Sequence, residues 1–332
     1  MSATPDSTPS VVITDCDHAD IEPELRVFGE AGFEVRLAGC RTGAEVVEEA
    51  AGADAIINQY VPVDDAVLEG LERCRVVVRY GVGVDTIDLD AASRRGVWVA
   101  NVPDYGTEEV SDHALALALN QLRGVGRLDR AVRRGEWDVR KIRPLRRVSE
   151  LTLGVVGYGK IGQALARKAR CLGMRVLVFD AAPISDEALV AGVERAGFED
   201  LLAEADVLSL HAPLTDGTRR LIGAEQLGRM KAGAYLVNTA RGGLVDSAAL
   251  LEALEAGEIS GAALDVLEVE PPEAGDALVA HDRVVTTPHA AWYSEESYEA
   301  LKAGAAREAV RVLSGERPHS PVNEPTGRVS NV

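Results

Sequence analysis

Three residues in the last third of the chain make a set that can hold a carboxylate and move a proton. Arg241 follows the apolar run 234–237 and stands beside Gly242 and Gly243, where its planar guanidinium can grip a carboxylate at two points. Glu270 follows the run 262–264, and Pro271 and Pro272 fix the chain directly behind it. His289 comes after Pro288 at the end of the run 284–286, and imidazole is the side chain suited to proton transfer near neutral pH. Singly, each has an ordinary reading as a surface or structural residue. Together they meet the minimum for hydride exchange with a 2-oxo acid. Arg241 would bind the carboxylate and polarise the carbonyl, and His289 would protonate the oxygen as hydride arrives. Glu270, on the other imidazole nitrogen, would fix the tautomer and favour the imidazolium. Asp265 could hold the nicotinamide side of a carrier.

That carrier has its own signature. The apolar run 151–156 feeds into Gly157-Tyr158-Gly159-Lys160-Ile161-Gly162, a helical pattern follows over 163–172, and a second apolar run, 175–179, ends at Asp180, twenty-three residues after Gly157. This is the strand–turn–helix–strand–acid order of a dinucleotide site. Gly157 allows the tight turn, Gly159 lets backbone approach a pyrophosphate, and Gly162 lets helix and strand pack closely. The helix N-terminus offers free N–H groups to the phosphates. Asp180 can accept hydrogen bonds from a ribose 2′-OH and would repel a 2′-phosphate; Ala181-Ala182-Pro183 follow, with no Arg to receive one. NAD is therefore expected over NADP. A further anion contact is available at Arg79-Tyr80-Gly81-Val82-Gly83, after the buried run 76–78, where Arg79 supplies a cation and the glycines expose backbone N–H groups. A plain strand-to-helix turn explains that stretch equally well.

The elements that must position these residues alternate. Strand-like runs at 11–14, 34–37, 55–58, 76–78 and 98–100 are separated by helix-type spacing at 21–31, 44–51 and 64–71. After a hinge-like stretch at 102–106, one long helix is expected over 107–134, carrying His113 as a packing or interface residue. A polar, Arg-rich stretch with Trp137 leads to a second series of strands at 151–156, 175–179, 207–210, 234–237, 262–264 and 284–286, and an amphipathic helix over 294–313 ends it. Strands alternating with helices predict an α/β protein with two doubly wound parallel-sheet domains.

The chain has 332 residues, 46% apolar, and carries a formal charge of −18. Its length suggests two domains. So acidic a surface repels nucleic acid and anionic membranes, and no apolar run approaches a membrane span. An anionic substrate then depends on locally placed Arg. Cys16, Cys40, Cys74 and Cys171 are scattered, without metal-ligand spacing, as expected of reduced thiols in a cytoplasmic protein. Residues 1–10 read as a loose polar tail rather than a signal peptide.

From residue 11 to the last helix the sequence resembles the D-isomer-specific 2-hydroxyacid dehydrogenases. The resemblance is carried by the 157–162 motif, by Asn238-Thr239-Ala240-Arg241-Gly242-Gly243-Leu244-Val245-Asp246, by Ala263-Leu264-Asp265-Val266 with Glu270-Pro271, and by Thr287-Pro288-His289. Through Asn238 to Asp246 and Thr287 to Glu295 it is most similar to the C-terminal binding protein branch. The resemblance implies a Rossmann NAD domain, 104–288, and a discontinuous, flavodoxin-like substrate domain, 1–103 with 289–332. It implies Arg241, Glu270 and His289 as catalytic residues. Its NAD contacts fall on Val82, Tyr158, Lys160, Ile161, Asp180, His211, Ala212, Pro213, Thr218, Thr239, Ala240 and Asp265. Its substrate contacts fall on Arg79, Val82, Gly83, Arg241 and Trp292, the last lining the pocket wall. It further implies a homodimer built by the helix from Thr107 and the arm through Trp137. The alternative is an NAD(H)-sensing binding protein with vestigial catalysis; the intact Arg241, Glu270 and His289 favour the enzyme.

Overall fold

The computed structural model describes residues 8–17 and 20–326. Most of the polar stretch at the start, and the last six residues of the polar tail, lie outside them. The chain divides into two compact units, one from the described residues of Met1–Gly106 and Ser294–Val332, the other Thr107–Tyr293. The sequence reading began the returning segment at His289. In the structure residues 289–293 stay with the second unit, because the Asp265 carboxylate accepts the N–H groups of Ala290 and Ala291, each at 2.9 Å.

In the first unit β1 (Ser10–Ile13), β2 (Glu34–Leu37), β3 (Ala55–Asn58), β4 (Val76–Arg79) and β5 (Trp98–Ala100) form one sheet in the order β2-β1-β3-β4-β5. Every pairing is parallel, and the order is that of flavodoxin-like folds. Helices α1 (Glu22–Ala31), α2 (Gly43–Ala50), α3 (Asp65–Gly70) and α4 (Leu89–Arg95) connect the strands. Alternate strand residues point to opposite faces. Val12, Ile56, Val77 and Val99 therefore pack with Val46, Val67, Leu68, Ala91 and Ala92 of α2 to α4. On the unit's other side, the last helix, Glu295–Leu313, packs on α1, β3 and β4.

The second unit contains α5 (Thr107–Arg123), α6 (Val125–Arg133), β6 (Thr152–Val156), α7 (Lys160–Cys171), β7 (Arg175–Phe179), β8 (Val193–Arg195), α8 (Phe198–Glu204), β9 (Val207–Leu210), α9 (Ala224–Arg229), β10 (Tyr235–Asn238), α10 (Ser247–Ala256), β11 (Gly261–Leu264), α11 (Ala277–Ala280) and β12 (Val284–Thr286); the last helix is then α12. Its parallel sheet runs β12-β11-β10-β9-β6-β7-β8. The order reverses between β6 and β9, and open α/β sheets hold ligands beyond the carboxyl ends of strands at such a point. Leu208, Leu210, Leu236, Ala262 and Leu264 pack on the side of α8 to α10, with Leu201, Leu227 and Leu250. Leu153, Val155, Val176, Val178 and Val237 face α5 and α7, with Leu117, Leu122 and Leu165. Burial of each such side chain contributes about 1.5–3 kcal/mol before the entropy of ordering it.

The single long helix expected over 107–134 is two. Gly124, at φ +63°, breaks it, and a Cβ there would stand 2.9 Å from Ile142 Cγ2. Asn120 Oδ1 accepts the Gly126 N–H at 2.7 Å and starts the second segment. Among the described residues no helix is long and apolar enough to cross a membrane.

Candidate active site

The turn after β6 is shaped by its glycines. Gly157 has φ +93°, and a Cβ there would lie 2.6 Å from Ala212 N and 2.7 Å from the His211 carbonyl oxygen. At Gly162 a Cβ would meet Gly157 O at 2.2 Å, so α7 can press against the turn only as glycine. Gly159, the N-cap of α7, has no atom within 4 Å of its missing Cβ and faces open space. Lys160 is exposed and Ile161 half-buried beside it. Tyr158 offers only backbone to that space: its ring is buried, and its hydroxyl accepts the Val190 N–H at 3.0 Å. Asp180 Oδ2 accepts the Tyr158 N–H at 2.7 Å and Oδ1 the Ala182 N–H at 2.9 Å. A carboxylate has roughly four acceptor positions, so two stay open for a ribose diol.

Across the switch point, His211 follows β9. Its Nε2 lies 2.8 Å from Ser209 Oγ, and desolvation holds its pKa down at about 4 although part of the residue reaches solvent. The His211 carbonyl and the Ala212 N–H line the turn at Gly157. Ala212 and Pro213 continue the edge. Thr218 Oγ1 closes this loop, donating to Pro213 O at 2.6 Å and accepting the Thr215 N–H at 2.8 Å. Beyond β10, the Ala240 N–H is held by Asn238 Oδ1 at 3.0 Å, and the buried Thr239 Oγ1 has no hydrogen-bond partner among the described residues. The glycine cradle, the open Asp180 positions and the orphaned Thr239 hydroxyl fit a dinucleotide.

Strands β10, β11 and β12 are neighbours, so their carboxyl ends deliver Arg241, Glu270 and His289 side by side. Gly242 brings the first two loops together: a Cβ there would fall 1.9 Å from the Leu267 carbonyl. Glu270 Oε1 accepts the Leu267 N–H at 2.8 Å, and Oε2 lies 2.7 Å from His289 Nδ1. Burial raises the Glu270 pKa, but the His289 hydrogen bond and charge, the Leu267 N–H and the Arg241 guanidinium lower it by more, so the group is held below its ordinary value. His289 adopts φ +53°. Asp265, 2% exposed, imposes that turn: Oδ1 accepts the Thr287 hydroxyl at 2.5 Å and the Ala290 N–H, Oδ2 accepts the Ala291 N–H, and the Asp265 carbonyl accepts the His289 N–H at 2.8 Å. His113, read from sequence as a packing residue, joins this network with Nε2 3.0 Å from Thr287 Oγ1 and 3.7 Å from Asp265 Oδ1. Only the packing of α5 against the carboxyl-end loops of β11 and β12 reveals it. Trp292, half-buried, stacks edge-on to Tyr293 at 5.6 Å.

In the first unit, Arg79, Val82 and Gly83 lie at and beyond the end of β4. Gly81 has φ +129°, and a Cβ there would sit 1.7 Å from Arg79 Nη1, so the guanidinium folds over the glycine. Val82 is exposed.

The family model described as D-isomer specific 2-hydroxyacid dehydrogenase, NAD binding domain, matches residues 115–291. The chain belongs to this family. A glyoxylate reductase of Korarchaeum cryptofilum is 41% identical over 86% of this chain and 87% of its own length. A D-3-phosphoglycerate dehydrogenase of Methanocaldococcus jannaschii is 37% identical over 95% of this chain, which spans 59% of that protein. The crystal structure of an Aquifex aeolicus D-lactate dehydrogenase complexed with NAD and lactic acid superposes with a TM-score of 0.83 at 30% identity, over 92% of this chain and 96% of that one. The 2-hydroxyacid dehydrogenase assignment, the two parallel-sheet α/β units and NAD as cofactor agree with the sequence expectation. The finer likeness to the C-terminal binding proteins finds no support in these relatives. The chain is thus an NAD-dependent oxidoreductase of D-2-hydroxy acids and their 2-oxo acids.

Proposed function

We propose that the second unit carries both NAD and the proton-transfer machinery, and that the first unit, through Arg79 and the 82–83 backbone, contributes to binding the acid. Arg241 holds the substrate carboxylate at two points. Bound NADH supplies the hydride. His289, with Nδ1 turned to Glu270, is left with Nε2 to give its proton to the carbonyl oxygen; in the oxidative direction the same nitrogen takes the proton back. Glu270 fixes the ring and its tautomer. Asp265, Thr287 and His113 hold the segment that presents His289, and Asp265 stands on the nicotinamide side. The contacts expected at Asp180, Thr239 and Ala240 hold ribose and phosphate. The observation that carries this reading is the 2.7 Å Nδ1–Oε2 contact at the ends of adjacent strands.

Trp292 sits three residues after His289, and we assign it to the pocket wall, where a large apolar face suits a medium-length apolar or thioether side chain. The assembly is a cytoplasmic homodimer. The experiment is NADH oxidation with glyoxylate, hydroxypyruvate, pyruvate and 4-methylthio-2-oxobutyrate, run on the wild type, His289→Gln and Trp292→Ala. The wild type should turn over at least one acid. His289→Gln should lose about 10²–10⁴-fold in turnover with NADH binding retained. Trp292→Ala should lose selectively on the longest acid. An inert wild type that still binds NADH would favour a sensing role, and an equal loss on all acids would make Trp292 structural.

A further inference from the structure

A charged cluster lies buried in the first unit beside the loop assigned to the acid. Lys302 of α12 and Glu24 of α1 are both 0% exposed, with Nζ 2.9 Å from Oε1. The Tyr80 hydroxyl donates to the same Glu24 oxygen, and Tyr80 is itself 2% exposed. The Lys302 ammonium lies 5.6 Å from the Tyr80 ring centre and 5.2 Å from that of Tyr298, with Cys16 Sγ at 3.9 Å. Burial first, and the Glu24 carboxylate second, push the Tyr80 phenol far above its ordinary value, so it remains a donor.

Two charges removed from water gain little net stability over an apolar pair of the same volume. Their consequence is sought in what they fix. Tyr80 stands between Arg79 and Gly81. Its N–H donates to Asn58 O at 2.8 Å, the Gly81 carbonyl accepts the Val102 N–H at 3.1 Å, and the Val82 carbonyl accepts from Asn101 Nδ2. The backbone of the loop is thus tied on both sides, and the Tyr80 side chain supplies the third anchor, at right angles to the strand and into the core. Glu24 Oε1 gives that anchor a fixed end, and Lys302 holds the carboxylate there.

We infer that the buried Glu24–Lys302 pair is a positioning device, acting through the Tyr80 hydroxyl to hold the 79–83 loop in the conformation that binds the substrate's acid group. This rests on the reading that the loop binds the acid. None of the three side chains touches the reacting atoms, so their loss should appear in KM and leave kcat alone.

The test uses three variants of the full chain. Tyr80→Phe keeps the ring and removes the hydroxyl. Glu24→Leu with Lys302→Met replaces the pair by apolar side chains, which leaves no unpaired buried charge and preserves folding. Arg79→Ala reports on the loop itself. Tyr80→Phe and the double variant should each raise KM for the best 2-oxo acid about tenfold, the loss of one hydrogen bond to a charged group. Their kcat should stay within about twofold of wild type, with NADH affinity little changed. If KM is unmoved in either variant while Arg79→Ala raises it, the pair is purely structural and the inference falls. An unmoved KM in Arg79→Ala would remove the acid-binding loop, and the inference with it.

Discussion

Two histidines of the second unit show how environment divides one residue type between two tasks. His289 lies at a strand end at φ +53°, a conformation that costs a non-glycine residue on the order of 1 kcal/mol and is met by the hydrogen bonds around Asp265. Its ring meets Glu270 through Nδ1, 2.7 Å from Oε2, and in the function proposed above the second nitrogen serves the substrate. Among the described residues His211 has no carboxylate partner, and desolvation lowers its pKa from 6.5 to about 4. The sign of its effect on stability follows. Between those values the unfolded chain takes up a proton at residue 211 that the folded chain refuses, so stability falls on acidification from about pH 6.5 toward 4. Above 6.5 both states are neutral there and the residue contributes nothing. A drop to pH 4.5 crosses about two units, or roughly 2–3 kcal/mol. His211→Asn, which can still meet the Ser209 hydroxyl, should lose that much less than wild type between pH 7.5 and 4.5 when both are unfolded in urea. Equal losses would mean that the folded chain protonates His211 readily.

At the scale of strands and loops, the site depends on how closely backbones approach. The loops after β10 and β11 meet at Gly242, whose missing Cβ would lie 1.9 Å from Leu267 C and O. That neighbour is backbone and cannot swing aside. Gly242→Ala must therefore push Arg241 away from Glu270, at about 1–3 kcal/mol for the overpacking. The expected result is a lower thermal midpoint together with a kcat/KM loss of tenfold or more; unaltered kinetics would show that the two loops move independently. In sequence, Gly242 was legible only as a flexible neighbour of Arg241, because its constraint comes from residue 267. The same division runs through the chain. Strands such as β3 and β6 were legible because every residue in them is buried and all but Asn58 and Thr152 are apolar. The strand β8, Val193–Arg195, was not: it is three residues long at the sheet edge, with two of them exposed. Gly124 was passed over because a lone glycine is tolerated within a helix, and nothing local shows that Ile142 blocks the straight path. Arg241, Glu270 and His289 were legible because each closes an apolar run. His113 was not, because its partners, Thr287 and Asp265, lie more than 150 residues away in the loops after β12 and β11.

Across the whole molecule the charge is −18, yet one face of the second unit is basic and apolar. Arg127, Arg130, Arg134, Lys141 and Arg283 surround a cavity of about 270 Å³, with Glu136 and Asp282 as the acidic members. Beside it the arm exposes large apolar groups: Trp137 at 91%, Val139 at 62%, Val125 at 59% and Val132 at 47%. Val125 and Val132 stand seven residues apart on α6 and so share one helix face. Large apolar groups exposed together on one arm favour association, and here they accompany cations on a chain otherwise rich in carboxylates. A second copy of the chain supplies both a matching apolar arm and acidic groups for that rim, which supports the homodimer proposed above. Wild-type protein should sediment as a dimer at micromolar concentration. Trp137→Glu with Val132→Glu places two carboxylates in the patch and should yield a monomer that still binds NADH, since the glycine turn of residues 157–162 lies on other elements. Raising salt should weaken the wild-type dimer only modestly, because the apolar arm carries most of the contact and the charges form its edge. A wild type that stays monomeric at every concentration would sink the proposal, and a double variant that remains dimeric would move the interface off the arm.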